Sequence, residues 1–367
     1  MLWTSRRRQA SLIATFVLAA VLVAGVVLQS AAHENDRDDR DRDDRVVRVM
    51  TQNVYEGTNF EELGAAATPA EFVAAVAATF QGIAATKPAE RAAEIAKEIA
   101  KHKPDLVGLQ EVSIVRTGTT PPATTVQSDL LELIRAELRK RHQDYKLVAV
   151  VTKLDAEAPS TLGFNVRLTG QDAILARDDS DLKLSNAQVN YFNTNLVFPS
   201  PVGPIAFRRG WASVDVKTRH RTFRFATTHL EPTVPAIRLA QTNELLQGIG
   251  NTLPVILVGD FNANPNNASD PTYQSFRDAN FDDAWLLRRG FDPGFTCCQA
   301  GNLLNPISLL SERLDWVLIR GKFRGDFHVL DADLIGNKRA DRTRSGLWPS
   351  DHAGLVVKLR FPEHSGH

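Results

Sequence analysis

The chain is short of cysteine, of net charge and of long apolar runs, and each shortage removes a class of explanation. Among 367 residues there are two cysteines, Cys297 and Cys298. Adjacent cysteines cannot staple distant segments, so no disulfide framework holds this fold; the pair is either two thiols or a vicinal disulfide. No CxxC spacing exists, which argues against a redox or zinc motif. Charge cancels, with 43 Lys+Arg against 43 Asp+Glu. A neutral chain is no general nucleic-acid coat, and only a local basic patch could hold a polyanion. There is no internal repeat and no GxSxG elbow, which removes the repeat arrays and the α/β-hydrolase pattern.

One long apolar run exists, and it lies at the N-terminus. Arg6, Arg7 and Arg8 precede an uncharged stretch from Ser11 to Leu28, followed by Ser30-Ala31-Ala32. A basic start, an apolar middle and small residues read as a signal peptide over 1–32, cut after Ala32. The run is also long enough for an uncleaved membrane anchor, which would place the rest of the chain outside the cell. Either way the expected location is secreted or extracytoplasmic, membrane-associated if the anchor is kept. His33 to Arg45 (HENDRDDRDRDDR) contains no apolar residue and reads as a charged linker. Residues 46–362 remain as one large domain, expected to be a monomer.

Within that domain the strongest strand signal is Pro254 to Asn262, PVILVGDFN. Four apolar, mostly β-branched residues predict a strand buried on both faces, ending at Asp260 and Asn262. The same arrangement recurs. Val46 to Val54 alternates as a strand ending near Asn53, and Leu106 to Leu109 is a short strand ending at Glu111. Thr222 to Thr228 alternates and ends at His229; Arg313 to Ile319 begins with Asp315; and Asp351-His352 precede a last strand, Leu355 to Leu359. Helices are expected from Pro69 to about Phe80, behind the Thr68/Glu71 capping box, and over Pro88–His102, Ser128–His142 and Ala236–Ile249. Tyr145–Val151 and Asp172–Ala176 read as strands, and Phe192–Phe198 with Ile205–Val216 as a hairpin. Ser113 to Gln127 reads as an exposed loop and Lys153 to Gly170 as a polar excursion. Strand-rich stretches without intervening helices argue against a doubly wound sheet and for two packed sheets with helices outside, an α+β fold.

Singly, each polar strand end has a bland explanation as a turn residue, a solvated acid or a satisfied histidine. Together they are oxygen ligands and imidazoles, the equipment for holding a hard cation and a phosphate. The motifs LQEV, TTHL, GDFN, RLDWVL and SDHAG, in that order after TQNV, resemble the endonuclease/exonuclease/phosphatase family, the DNase I-like superfamily, over about Val46 to Phe361. That superfamily includes abasic-site endonucleases, bacterial sphingomyelinases and inositol polyphosphate 5-phosphatases. The resemblance implies a four-layer αββα sandwich and phosphoester hydrolysis with Mg2+, or with Mn2+ or Ca2+ in its place.

Carried over residue by residue, it makes Glu111 the main metal carboxylate, with Asn53 and Asp351 beside or behind it. Asp260 would orient or deprotonate water, and Asn262 would donate to a phosphate oxygen. His352, its tautomer fixed by Asp315, would be base or phosphate-stabilising imidazolium. His229 would contact the phosphate and protonate the leaving group; a histidine here also speaks against an abasic-site enzyme. Arg209 and the basic stretch carrying Arg339, Arg342 and Arg344 are candidate substrate contacts. The expected substrate is a phosphodiester, in nucleic acid or a phospholipid headgroup. The alternatives are a phosphomonoesterase of the same fold or a non-catalytic binding module.

Overall fold

The computed structural model describes residues 46–322 and 326–362. The segments read as leader or anchor and as linker lie outside the described residues. No helix among the described residues is long and apolar enough to cross a membrane.

In chain order, β1 (Val46–Asn53) is followed by α1 (Glu61–Ala65), α2 (Pro69–Ala85), α3 (Pro88–His102) and β2 (Leu106–Gln110). Next come β3 (Ile114–Gly118), β4 (Thr125–Asp129), α4 (Leu130–Lys140), β5 (Tyr145–Pro159), β6 (Asn165–Arg177) and β7 (Lys183–Tyr191). The middle holds β8 (Leu196–Phe198), β9 (Ile205–Phe207), β10 (Gly210–Lys217), β11 (Thr222–His229), α5 (Pro235–Gly248) and β12 (Val255–Asp260). The chain closes with α6 (Thr272–Asp278), β13 (Asp282–Asp283), α7 (Ala284–Arg289), β14 (Asp315–Arg320), β15 (His328–Ile335) and β16 (Gly354–Arg360).

The strands form two principal sheets. The first runs β15-β16-β1-β2-β6-β3-β4, with β5 paired to β6; the second runs β13-β14-β12-β11-β10-β7. Period-two alternation shows why they stack. Val47, Val49, Leu106, Ile174, Leu355 and Val357 of the first sheet face Val214, Phe223, Phe225, Ile256, Val258 and Val317 of the second in one core. The residues between them point outward. Met50, Val107, Leu109 and Leu175 pack with Ile95 and Ile99 of α3 and with Ile134 and Leu138 of α4. Val255, Leu257, Trp316 and Leu318 pack with Leu245 of α5 and Phe276 of α6. Helix, sheet, sheet and helix give the four-layer α+β DNase I-like sandwich. Burial on both faces is why the strand at 255–258 is an unbroken apolar run.

The sheets approach closely at one point. A Cβ on Gly108 would lie 2.6 Å from both Thr227 Oγ1 and Val258 Cγ2, so only glycine fits there. Beside it a polar chain crosses the gap: Thr51 Oγ1 donates to Gln110 Oε1 at 3.2 Å, and Gln110 Nε2 donates to Thr227 Oγ1 at 3.0 Å. Buried polar groups satisfied in this way fix the register of the sheets at their mouth.

Several expectations need correction. The stretch 113–127 is not an exposed loop: β3 and β4 extend the first sheet as a hairpin paired to β6. The excursion at 153–170 is the outer part of the β5/β6 hairpin. Its polar alternation reflects a solvated sheet face with cross-strand pairs such as Arg167 Nε to Asp155 at 2.8 Å. The hairpin expected across 199–204 is shorter, β8 with β9, because the chain breaks at Arg208 and Arg209, whose amides bond Lys153 O and Asn195 Oδ1 at 2.8 Å each. α2 continues past Phe80 to Ala85, while α4 is trimmed by its Asp129 cap. β7 and β15 had no clear signal.

Candidate active site

The two sheets deliver their polar ends to one mouth. β1 and β2 run parallel and β11 and β12 run parallel, so Asn53 and Glu111 emerge together on one side and His229 and Asp260 on the other. β14 is antiparallel to β12 and places Asp315 directly across from Asp260. Glu111 and Asn262 have φ of 63° and 50°. Left-handed backbone in non-glycine residues is costly, and these turns hold the side chains where an extended chain would not.

Asn53 joins the two sides. Its Nδ2 donates to Glu111 Oε1 at 3.0 Å and to Asp260 Oδ2 at 3.0 Å, and its Oδ1 accepts the Tyr55 amide at 2.9 Å. The other Glu111 oxygen accepts the Glu56 amide at 2.9 Å. Burial alone would raise the Glu111 pKa; the Lys153 charge and these donors outweigh it and keep the carboxylate ionised. Asp351, on the loop before β16, and Glu56 behave oppositely. Burial, with the Glu111 charge adding to it, pushes each carboxyl up to about 7.

On the far side, Asp260 Oδ2 stands 3.5 Å from His229 Nε2 and 3.9 Å from His352 Nε2, while Asp260 Oδ1 accepts the Asn262 amide at 2.9 Å. His352 Nδ1 meets Asp315 Oδ2 at 2.7 Å. The loops under this pair are stitched by Thr296, whose Oγ1 accepts the Leu314 and Asp315 amides, and by Cys297, which bridges Glu312 and His352. Burial would lower the His352 pKa, but the Asp315, Asp260 and Asp351 charges prevail and raise it well above the usual value. His229 goes the other way, lowered by burial and then by Arg209 and Lys153. Its Nδ1 lies 3.0 Å from Lys153 Nζ. An ammonium only donates, so Nδ1 accepts and the proton of a neutral ring sits on Nε2, toward Asp260. The centre thus holds one imidazolium and one neutral imidazole.

Three groups escaped the sequence reading. Lys153 lay inside the supposed excursion; it pairs with Asp172 at 3.0 Å as well as with His229. Asp172 accepts the Glu111 amide at 3.1 Å; an acid opening the apolar run DAILA is the strand-end pattern used elsewhere, and it was there to be read. Glu56, held by Ser113 Oγ at 2.5 Å, carried no such signal. Beneath them Arg91 is fully buried and donates to the carbonyls of Val54, Tyr55, Thr86 and Pro349 at 2.7–3.2 Å, tying α3 to the loops carrying Glu56 and Asp351. Burial lowers its pKa to about 10.

Of the proposed substrate contacts, Arg209 belongs to this centre, with its guanidinium 3.5 Å from His229 O and 3.9 Å from Glu231. The Asn262 amide nitrogen donates to Leu230 O at 3.0 Å. Arg339 and Arg344 are exposed, and Arg342 lies 5.6 Å over the Trp348 ring. Among the described hydrogen bonds and ion pairs none joins these three arginines to the centre. Cys297 and Cys298 are paired with each other.

The donor set suits a hard divalent cation. Glu56, Glu111, Asp172, Asp260, Asp315 and Asp351 outnumber Lys153, Arg209, Arg91 and the His352 imidazolium, and Asp172 Oδ2 and Asp315 Oδ1 are buried without a hydrogen-bond partner. A buried excess of carboxylates is unfavourable until a cation balances it. Asp260, Asp315 and His352 present donor atoms within 4.8 Å of one another, but a His352 imidazolium held by Asp315 Oδ2 at 2.7 Å has no lone pair to give a cation. The fit is therefore on the Glu111 side, where Asn53, Asp260 and Asp351 stand near.

Comparison with known proteins gives the family and the fold. Residues 50–352 match the model of the Endonuclease/Exonuclease/phosphatase family. An endonuclease/exonuclease/phosphatase family protein of Bacteroides thetaiotaomicron superposes with a TM-score of 0.56 at 17% identity, over 87% of this chain and 98% of that one. A mannosyl-6-phosphatase of the same species gives 0.55 at 17%, over 86% and 100%. Humanized D. rerio TDP2 gives 0.53 at 16%, over 86% and 99%. No curated protein sequence matches the chain.

Proposed function

The chain belongs to the Endonuclease/Exonuclease/phosphatase family, a family of phosphoric ester hydrolases, and from that membership we propose an exported, Mg2+-dependent phosphodiesterase. One observation carries the reading: Asn53 bridges Glu111 and Asp260 at 3.0 Å each, so a cation-binding carboxylate and a water-binding carboxylate share one amide.

Glu111, with Asn53 and Asp351 near it, would hold the divalent ion. When bound, such an ion neutralises phosphoryl charge as a Lewis acid. His352, kept cationic by Asp315, donates to a phosphoryl oxygen. His229 presents its Nε2–H to the same group, and the Lys153 contact at its Nδ1 holds that tautomer. Arg209 adds positive charge behind His229. Asp260, set between the two imidazole Nε2 atoms, accepts the proton of the attacking water; a cationic His352 leaves it as the available base. A neutral His229 acts as a hydrogen-bond donor to phosphate, not as the acid that protonates the leaving oxygen. Export rests on the N-terminal sequence alone.

The test is turnover by the purified protein on plasmid DNA, RNA, a choline phospholipid, a sugar phosphate and bis-p-nitrophenyl phosphate in parallel, with EDTA and then excess Mg2+. Hydrolysis of a diester that EDTA stops and Mg2+ restores is the expected result. Turnover of the monoester alone, or turnover indifferent to EDTA, sinks the proposal.

A further inference from the structure

The segment that lies between Asn53 and Glu111 in sequence builds more than a packing layer. A groove of about 660 Å³ opens between α1–α2 and the β8/β9 hairpin, over the outer part of β5 and β6. Its walls are apolar: Phe60, Phe72 and Phe80 from the helical segment, Leu154 from β5, Ile205 and Phe207 from β9. Its volume lies in the range of small-molecule sites, roughly 300–1,000 Å³.

The groove adjoins the reaction centre at Lys153. Lys153 lines it, and the Lys153 ammonium touches both His229 and Asp172 at 3.0 Å. Arg208 lines it too, next in sequence to Arg209. On the opposite wall a few residues of loop separate Glu56, which bonds the Glu111 carboxylate through its amide, from Phe60. The end at Lys153 and Arg208 is cationic; Asp155 and Glu157 also line the groove but are held by Arg167 and Asn165, and the rest is aromatic and aliphatic wall. Charge and polarity along the groove match a single kind of molecule, an anionic head with an apolar body.

We infer that the groove receives the aliphatic chain of an amphiphilic phosphoester, whose phosphate sits beyond Lys153, at His229 Nε2 and His352. The inference rests on the hydrolase reading above and narrows its substrate. The reaction itself is unchanged: the phosphorus–oxygen bond to the leaving alcohol breaks, one forms to the water oxygen, and water supplies the proton the alcohol gains.

A series of alkyl p-nitrophenyl phosphodiesters, ethyl to dodecyl, dispersed as monomers with saturating Mg2+, tests this. The kcat/KM should rise about threefold for each methylene that enters the groove and level off when it is full. Phe80→Ser, on the helical wall, should flatten that series and leave the ethyl ester turned over as before. Ile205→Asp on the facing hairpin should do the same, and a thermal melt of each variant checks that it folds. A flat wild-type series with a working ethyl ester overturns the inference and leaves the hydrolase reading standing. A steep series untouched by both folded variants also overturns it. No turnover of any ester with any divalent ion overturns both readings.

Discussion

The two ends of the reaction centre are built from opposite materials. Around Glu111 stand Glu56 and Asp351, two carboxyls pushed up to about 7 by burial and shared charge, with Arg91 as the buried counter-charge beneath them. Around His229 stand Lys153 and Arg209, which together with burial strip the ring of its proton. The first end is crowded with carboxyls and the second is lined by Lys153 and Arg209, with the Lys153 charge reaching both. In the proposed reaction that polarity would set one orientation, the ion at Glu111 and the phosphate oxygens toward His229. Between the ends, Asn53 and Asp260 keep the distance constant.

The difference is broken most severely by removing the acid at its centre. Glu111→Gln keeps the shape and the Asn53 contact but loses the charge; turnover should fall about a thousandfold or more, on the scale of losing a charge-stabilising group, with thermal stability little changed. Activity kept near the wild-type level would show that the cation does not bind at this end.

A subtler break separates the two imidazoles. Asp315 is a leading contributor to the raised His352 pKa, so in Asp315→Asn the imidazolium should lose its proton at lower pH. A group needed in protonated form supports activity below its folded pKa and fails as pH rises through it. The alkaline limb of the pH–rate profile should therefore move down in Asp315→Asn, with turnover at its optimum reduced about a hundredfold. A profile that falls without moving would assign Asp315 a purely structural part.

The smallest effect concerns the ion. Carboxyls with a pKa near 7 hold protons below it, and protons compete with a cation. Apparent Mg2+ affinity should rise with pH by about two- to tenfold per unit up to about 7, then level. Isothermal titration across that range measures it, and Glu56→Gln should shallow the slope. A slope identical in Glu56→Gln would remove Glu56 from the account.

The sequence was most legible where burial is two-sided and least legible where one face is wet. PVILVGDFN and LQEV declare themselves as strands because both of their faces lie in apolar cores, TFRFATTH does so by its alternation, and the groups that terminate them can be found by reading to the end of each run. β3, β4 and the outer β5/β6 hairpin carry Thr, Arg, Gln and Asp on a solvated face, so they resemble loops. Lys153 was hidden for that reason: its neighbours in TKLD point to water or to the opposite sheet face while it alone turns inward to Asp172 and His229. Arg91 was equally invisible, an ordinary charge in an amphipathic helix until the loops of β1 and β16 close over it. The basic stretch at 338–344 shows the converse, a charge cluster conspicuous in sequence whose side chains face solvent or Trp348.

Gly108 lies three residues before Glu111, while Thr227 and Val258 each lie two residues before His229 and Asp260. The spacing between the Glu111 end and the His229 end is thus inherited from the thickness of the sandwich at a position with no side chain at all. The catalytic gap behaves like the jaw opening of a caliper whose stop is a single hydrogen atom, and its width is set inside the core, one turn of strand away from any group that touches substrate.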